Sequence, residues 1–94
     1  MRRAARTDQN QAEIVAALRA VGATVTPCHA VGKGFPDLCV GYRGATYLIE
    51  VKDGSKPPSA RKLTPDQVEF HAAWRGQISV CESVDDALAV IGVC

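Results

Sequence analysis

No apolar run in this 94-residue chain approaches the eighteen or so residues that a membrane-spanning helix needs. The opening Met1-Arg2-Arg3-Ala4-Ala5-Arg6 lacks the hydrophobic stretch of a secretory signal, so a cytoplasmic location is expected. The four cysteines, Cys28, Cys39, Cys81 and Cys94, form no C-x-x-C pair, which argues against a zinc or disulfide framework and for reduced thiols in apolar surroundings. Cys28 and His29 are adjacent; in a strand they would point to opposite faces and could not easily share a metal. Neither an internal repeat nor a domain linker is present, and the length is too short for two cores, so residues 1–94 are expected to form a single domain behind a basic tail over residues 1–6.

Net charge is small as well, only +1, but it is unevenly spread. Residues 1–62 carry ten Lys/Arg against five Asp/Glu, and residues 63–94 carry one against five. A one-sided basic surface suits phosphate binding, and solvated surface charge explains the same asymmetry. With apolar residues at 47% and charged residues at 22%, the composition is that of a globular chain rather than a disordered one.

The elements follow from pattern and punctuation. Thr7 or Asp8 can cap a helix to about Val21, with Ile14, Leu18 and Val21 as its apolar stripe. Thr24-Val25-Thr26 predicts a short strand, and residues 31–36 a loop broken by two glycines and a proline. Two strands, Asp37 to Tyr42 and Ala45 to Lys52, flank the turn Arg43-Gly44. The Gly-, Pro- and Ser-rich stretch 53–62 predicts a mobile loop. Thr64 as N-cap, Pro65 at the first helical position, Asp66 in the first turn and Gln67 closing a capping box predict a helix to about Trp74. Gln77 to Cys81 predicts a strand, and Ser83 caps a last helix through Ile91. The expected order is α-β-β-β-α-β-α, an α/β sandwich around a mixed sheet.

Hairpin arithmetic then brings polar residues together. A two-residue turn at Arg43-Gly44 makes Tyr42 face Ala45, so Asp37 faces Glu50, and Lys52 lies two residues on along the same sheet face. Leu38 meets Ile49 and Val40 meets Tyr47 on the opposite, apolar face. A type I′ turn asks for positive φ at both central positions, for which Arg43 is a poor residue, and a one-residue shift would break the shared face. Opposed carboxylates repel, and a hard divalent ion, Mg²⁺ or Mn²⁺, would relieve that repulsion while leaving room for a phosphate oxygen and an attacking water. Lys52 would hold or deprotonate that water or offset charge on the phosphate. The plainer account makes Asp37 a turn residue after Pro36 and Glu50 and Lys52 a solvated strand edge; the conjunction of features favours a site.

Gly34-Phe35-Pro36-Asp37-Leu38, Tyr47-Leu48-Ile49-Glu50-Val51-Lys52 and Leu63-Thr64-Pro65-Asp66-Gln67 together make the chain resemble a stand-alone VRR-NUC domain. This is a branch of the PD-(D/E)XK nuclease superfamily found in phages and DNA-repair proteins. The resemblance covers most of the chain, leaving out the residues before about Gln11 and the last helix. It implies a restriction-endonuclease-like α-β-β-β-α-β core with a mixed central sheet flanked by helices, plus a C-terminal helix. It also implies Asp37, Glu50 and the backbone carbonyl of Val51 as ligands of Mg²⁺ or Mn²⁺, with Lys52 as catalytic lysine. A first-helix glutamate usually completes such a site, and Glu13 is the candidate here. Gln67 matches a glutamine near the site, and its capping box explains it equally well. Phe70, His71 and Trp74 share a helical face with Gln67; the aromatics are expected in the core rather than as base-stacking platforms, and His71 is not expected to act as catalyst when Lys52 already fills that role. Lys33, Lys56, Arg61 and Lys62 flank the site and could hold DNA phosphates.

The expected activity is therefore metal-dependent phosphodiester hydrolysis in DNA, without an organic cofactor and in a phage or bacterial host cell. By analogy the substrate is branched DNA of the Holliday-junction kind, cut by a homodimer. A DNA-structure-binding module without cleavage, or a nuclease subunit of a larger assembly, are the alternatives.

Overall fold

The computed structural model describes residues 8–93, so the basic tail, Thr7 and Cys94 lie outside the described residues. Seven elements follow in the expected order: α1 (Gln11–Ala20), β1 (Thr24–Pro27), β2 (Leu38–Tyr42), β3 (Ala45–Val51), α2 (Pro65–Ala73), β4 (Ile78–Cys81) and α3 (Val84–Val90). The strands form one sheet in the order β1-β2-β3-β4, antiparallel across the first three and parallel between β3 and β4.

Side-chain alternation sorts this sheet into two faces. Val25, Leu38, Val40, Ile49, Val51 and Cys81 point one way and are buried with Ile14 and Leu18 of α1 and with Ala87 and Ile91 at α3. The hydrophobic effect holds the layers together here, each buried Leu or Ile contributing about 2 kcal/mol. The residues between them, Cys39, Leu48 and Glu50, point to the opposite face, where α2 lies.

The hairpin register is the one expected, with Tyr42 opposite Ala45 and Leu38 opposite Ile49. Both turn residues take positive φ, 50° at Arg43 and 80° at Gly44, as a type I′ turn requires. Arg43 does so while its guanidinium sits 5.3 Å from the Tyr42 ring centroid, a cation–π contact that offsets part of the left-handed penalty.

Three expectations are corrected. Helix α1 starts at Gln11 after Asn10, not after Asp8, and Asn10 makes no side-chain cap. Its amide instead donates to the carbonyls of Lys52 and Glu82, 3.0 and 3.1 Å away, tying the head of α1 to the ends of β3 and β4. The stretch 53–62 is ordered rather than loose. Asp53 is buried and accepts from the Ser55 amide and hydroxyl, Pro58–Ala60 form a 3₁₀ turn, and Arg61 pairs with Glu82 at 3.0 Å. The aromatics leave the core: Phe35, Phe70 and Trp74 build a separate stack against α2, which buries none of its residues.

The loop before β2 carries consecutive left-handed residues, Gly32, Lys33 and Gly34. A Cβ on Gly34 would meet the Asp66 carbonyl oxygen, because this loop packs against the first turn of α2. Gly34→Ala combines that collision with a φ of 81° and is expected to cost about 3 kcal/mol in urea unfolding. A loss below about 0.5 kcal/mol would mean that the loop does not hold α2 in place.

Candidate active site

Asp37 stands one residue before β2, yet its backbone is still held: its carbonyl accepts from the Cys28 amide at 2.6 Å. Its carboxylate accepts from the Val51 amide at 2.8 Å, across the hairpin. Glu50, in the middle of the apolar β3, points to the α2 face and is 2% exposed. One carboxylate oxygen accepts from the Gln67 amide at 2.9 Å and lies 3.7 Å from the Lys52 ammonium. The other, Oε1, is buried and has no partner.

A buried carboxylate beside a second carboxylate resists ionisation. Burial first, and then the charge of Asp37, push Glu50 up to about 8, with Lys52 pulling the other way. Lys52 follows β3 and is anchored by its own amide on the Cys81 carbonyl at 2.9 Å. Its ammonium donates to Gln67 Oε1 at 3.0 Å.

Gln67 makes the capping-box contacts and also touches Glu50 and Lys52. The capping box is complete: Thr64 Oγ1 accepts from the Gln67 amide, and Gln67 Oε1 accepts from the Thr64 amide at 2.9 Å. That same oxygen accepts from Lys52 while Nε2 donates to Glu50. One side chain thus starts α2 and orients both charged groups.

These residues line a polar depression of about 440 Å³ together with Asp8, Val51 and Lys56. Glu13 is not among them. It lies exposed over a different hollow with Asn10, Asp53, Glu82 and the acidic first turn of α3. Asp8, just ahead of α1, is the acid that reaches the depression, where burial raises its carboxyl and Lys52 and Lys56 pull it back down. The Asn10 contacts to β3 and β4 explain the exchange, since they bring the segment before the helix over the strand ends.

Of the flanking cations, Lys56 lines the depression, Lys33 and Lys62 are exposed, and Arg61 is engaged by Glu82. His71 is half-buried on α2, lowered by burial and by the nearby Lys52, with Nε2 lacking a partner. Cys28 and Cys39 are free and half-buried on the site face, and burial pushes the Cys81 thiol up to about 12.

The donor set suits a hard divalent cation. Two facing carboxylates, one with an orphaned buried oxygen, and the Val51 carbonyl would all offer it oxygen donors. Among the described residues no three His, Cys, Asp or Glu side chains converge at ligand spacing, so an ion here would complete its shell with water, as Mg²⁺ habitually does.

No family profile and no curated protein matches the chain. A solved structure described as a VRR_NUC domain does, at 28% sequence identity and a TM-score of 0.64, with 86% of this chain and 88% of that chain covered. With a four-stranded mixed sheet, three helices and a polar face built from β2, β3 and α2, that likeness supports a VRR-NUC domain protein of restriction-endonuclease-like fold.

Proposed function

We propose that the chain is a divalent-cation-dependent endodeoxyribonuclease that selects branched DNA, in the manner of a Holliday-junction resolvase, and works as a homodimer. The observation that carries the nuclease reading is the buried, unpartnered Glu50 Oε1 facing Asp37, with Lys52 and Gln67 beside it. An uncompensated carboxylate pair of this kind costs stability unless a cation takes it up. Asp37, Glu50 and the Val51 carbonyl would hold Mg²⁺ or Mn²⁺, with Asp8 behind them. The bound ion supplies Lewis-acid polarisation of the phosphate and a lowered pKa for water. Lys52 would orient that water or offset charge on the phosphate, and its hydrogen bond to Gln67 supports that role by holding the ammonium. Lys56, and Lys33 and Lys62 farther out, supply cations for the DNA backbone. The branched substrate and the dimer rest on family likeness, two symmetry-related sites being suited to two opposed strands.

The test is to incubate the purified chain with a labelled four-way junction and with a linear duplex of the same sequence, in Mg²⁺, Mn²⁺ or EDTA. Cation-dependent cutting of the junction in preference to the duplex is expected. Equal attack on both would remove the junction preference. Binding with no cutting under any cation would leave a DNA-structure-binding module, and cutting only in the presence of other proteins would make the chain a subunit of an assembly.

Two comparisons of variants test the residue roles. Asp8→Asn is expected to weaken Mn²⁺ binding about tenfold by calorimetry, the usual effect of losing an outer contact, and Glu13→Gln to leave it unchanged. The reverse result would restore the acid of α1 to the site. Thr64→Ala and Gln67→Ala should each lower stability by about 1 kcal/mol through the lost cap, but only Gln67→Ala should also slow cleavage, because only it releases Lys52. Equal rates in the two variants would reduce Gln67 to a cap.

A further inference from the structure

Trp74 is the chain's single tryptophan, and it stands 41% exposed on a surface that otherwise shows few large apolar groups. It is not left over from the core. Its ring stacks on Phe70 at 5.3 Å and 18°, and Phe70 meets Phe35 edge to face at 5.3 Å. Phe35 precedes Asp37 by two residues, and Phe70 follows Gln67 by three. The ladder therefore begins at the loop and helix turn that build the active site and leads away from it along one face of α2. Gly76 lets the chain turn back tightly past the indole, since a Cβ there would lie 2.8 Å from Trp74 Nε1. Arg75, next in sequence, is exposed as well.

Resting on the nuclease reading above, we infer that Trp74 is a stacking platform for an unpaired nucleobase of the DNA strand held in the site, with Arg75, next in sequence, for a flanking phosphate. Gln67 and Trp74 are seven residues apart, about 10 Å along a helix. At about 3.4 Å per stacked nucleotide, the platform would meet a base roughly three nucleotides from a phosphate held at the depression that Glu50, Lys52 and Gln67 line. A fully paired duplex offers no free base face at that distance, whereas a frayed branch or a single-stranded arm does. The ladder thus favours substrates with unpaired bases near the cut, through stacking that is blind to sequence.

Because the chain has one tryptophan, its emission reports on this contact directly. An Asp37→Asn chain in EDTA is titrated with a single-stranded oligothymidylate, a forked duplex and a blunt duplex. Emission is expected to fall by about half with the first two and to change little with the third. Trp74→Leu should weaken binding of the oligothymidylate about tenfold while Trp74→Phe stays within about threefold of the parent, since a phenyl ring still stacks. Unchanged emission, or Trp74→Leu binding as tightly as Trp74→Phe, would overturn the platform. Emission that shifts with protein concentration in the absence of DNA and is indifferent to DNA would assign the ring to a contact between copies instead. Cutting by the unsubstituted chain without any quench would sink this inference alone, whereas quench without cutting would sink the nuclease reading and leave the platform standing.

Discussion

Lys52→Ala is expected to slow cleavage of a four-way junction by about a thousandfold or more at neutral pH while leaving DNA affinity within a few fold. Removing a positioned proton-transfer group typically costs about 10²–10⁴ in rate, and removing a donor to developing charge costs a similar factor. Under the proposed mechanism Lys52 would fill either role. It is 9% exposed, its amide is locked onto the Cys81 carbonyl, and its ammonium is held by Gln67 3.0 Å away. The alanine variant also takes from Glu50 the cation that pairs with it among the described residues, so the accompanying change in cation affinity must be separated by assaying at saturating Mn²⁺. Asp37→Asn should fall as far for a different reason: it removes one of the two carboxylates and should weaken Mn²⁺ binding as well as rate. If purified Lys52→Ala and Asp37→Asn cut at the parental rate, the activity belongs to a contaminant and the assignment fails.

Without divalent cation, the fold should lose stability as pH rises from about 5 to about 8. Glu50 is raised from 4.5 to about 8 in the folded chain, by burial first and by Asp37 second. Between those values the folded state holds a proton that the unfolded state has released. The stabilising contribution is fully present below the unfolded value and is lost as pH climbs through the folded one, at up to about 1.4 kcal/mol per pH unit. Asp8 is also raised and adds in the same direction, whereas His71 is lowered and works against it. Comparison with Glu50→Gln isolates the glutamate: the variant should show a markedly flatter dependence in urea melts and higher stability than the parent at pH 8. Added Mn²⁺ should restore the parent at pH 8 and do little for the variant, because ligand binding stabilises only a state that can hold it. Parallel slopes for parent and variant would mean that the buried carboxylate is not the titrating group.

The parts of this structure that depend on local periodicity were legible before any coordinates. The facing of Asp37 and Glu50 follows from a two-residue turn and a period of two, and both are properties of residues 37–52 alone. The α2 start is equally local, four residues from Thr64 to Gln67 containing both partners of the capping box. What escaped was decided by contacts far apart in sequence. Asp8 rather than Glu13 reaches the depression because Asn10 binds carbonyls 42 and 72 residues away, which no window along the chain can reveal. The stretch 53–62 has loop composition and is nonetheless ordered, because Arg61 finds Glu82. Phe70 and Trp74 have the spacing of a core stripe, but the sheet face beneath α2 carries the polar site, and the core forms on the opposite face with α1 and α3.

The two carbonyls gripped by Asn10 also set a condition on folding. One belongs to the residue after β3 and the other to the residue after β4, so the segment carrying Asp8 is secured only when both strand ends are in place. Long-range closures of this kind form late, once the intervening chain has already folded. A chain that stops short of Ile78 holds the hairpin acids and Lys52 but lacks both the strand that anchors the lysine's amide and one of the two anchors of its leading segment. The segment that carries Asp8 is therefore held in place only when β3 and β4 are both in the sheet, a dependence that rests on a single amide side chain.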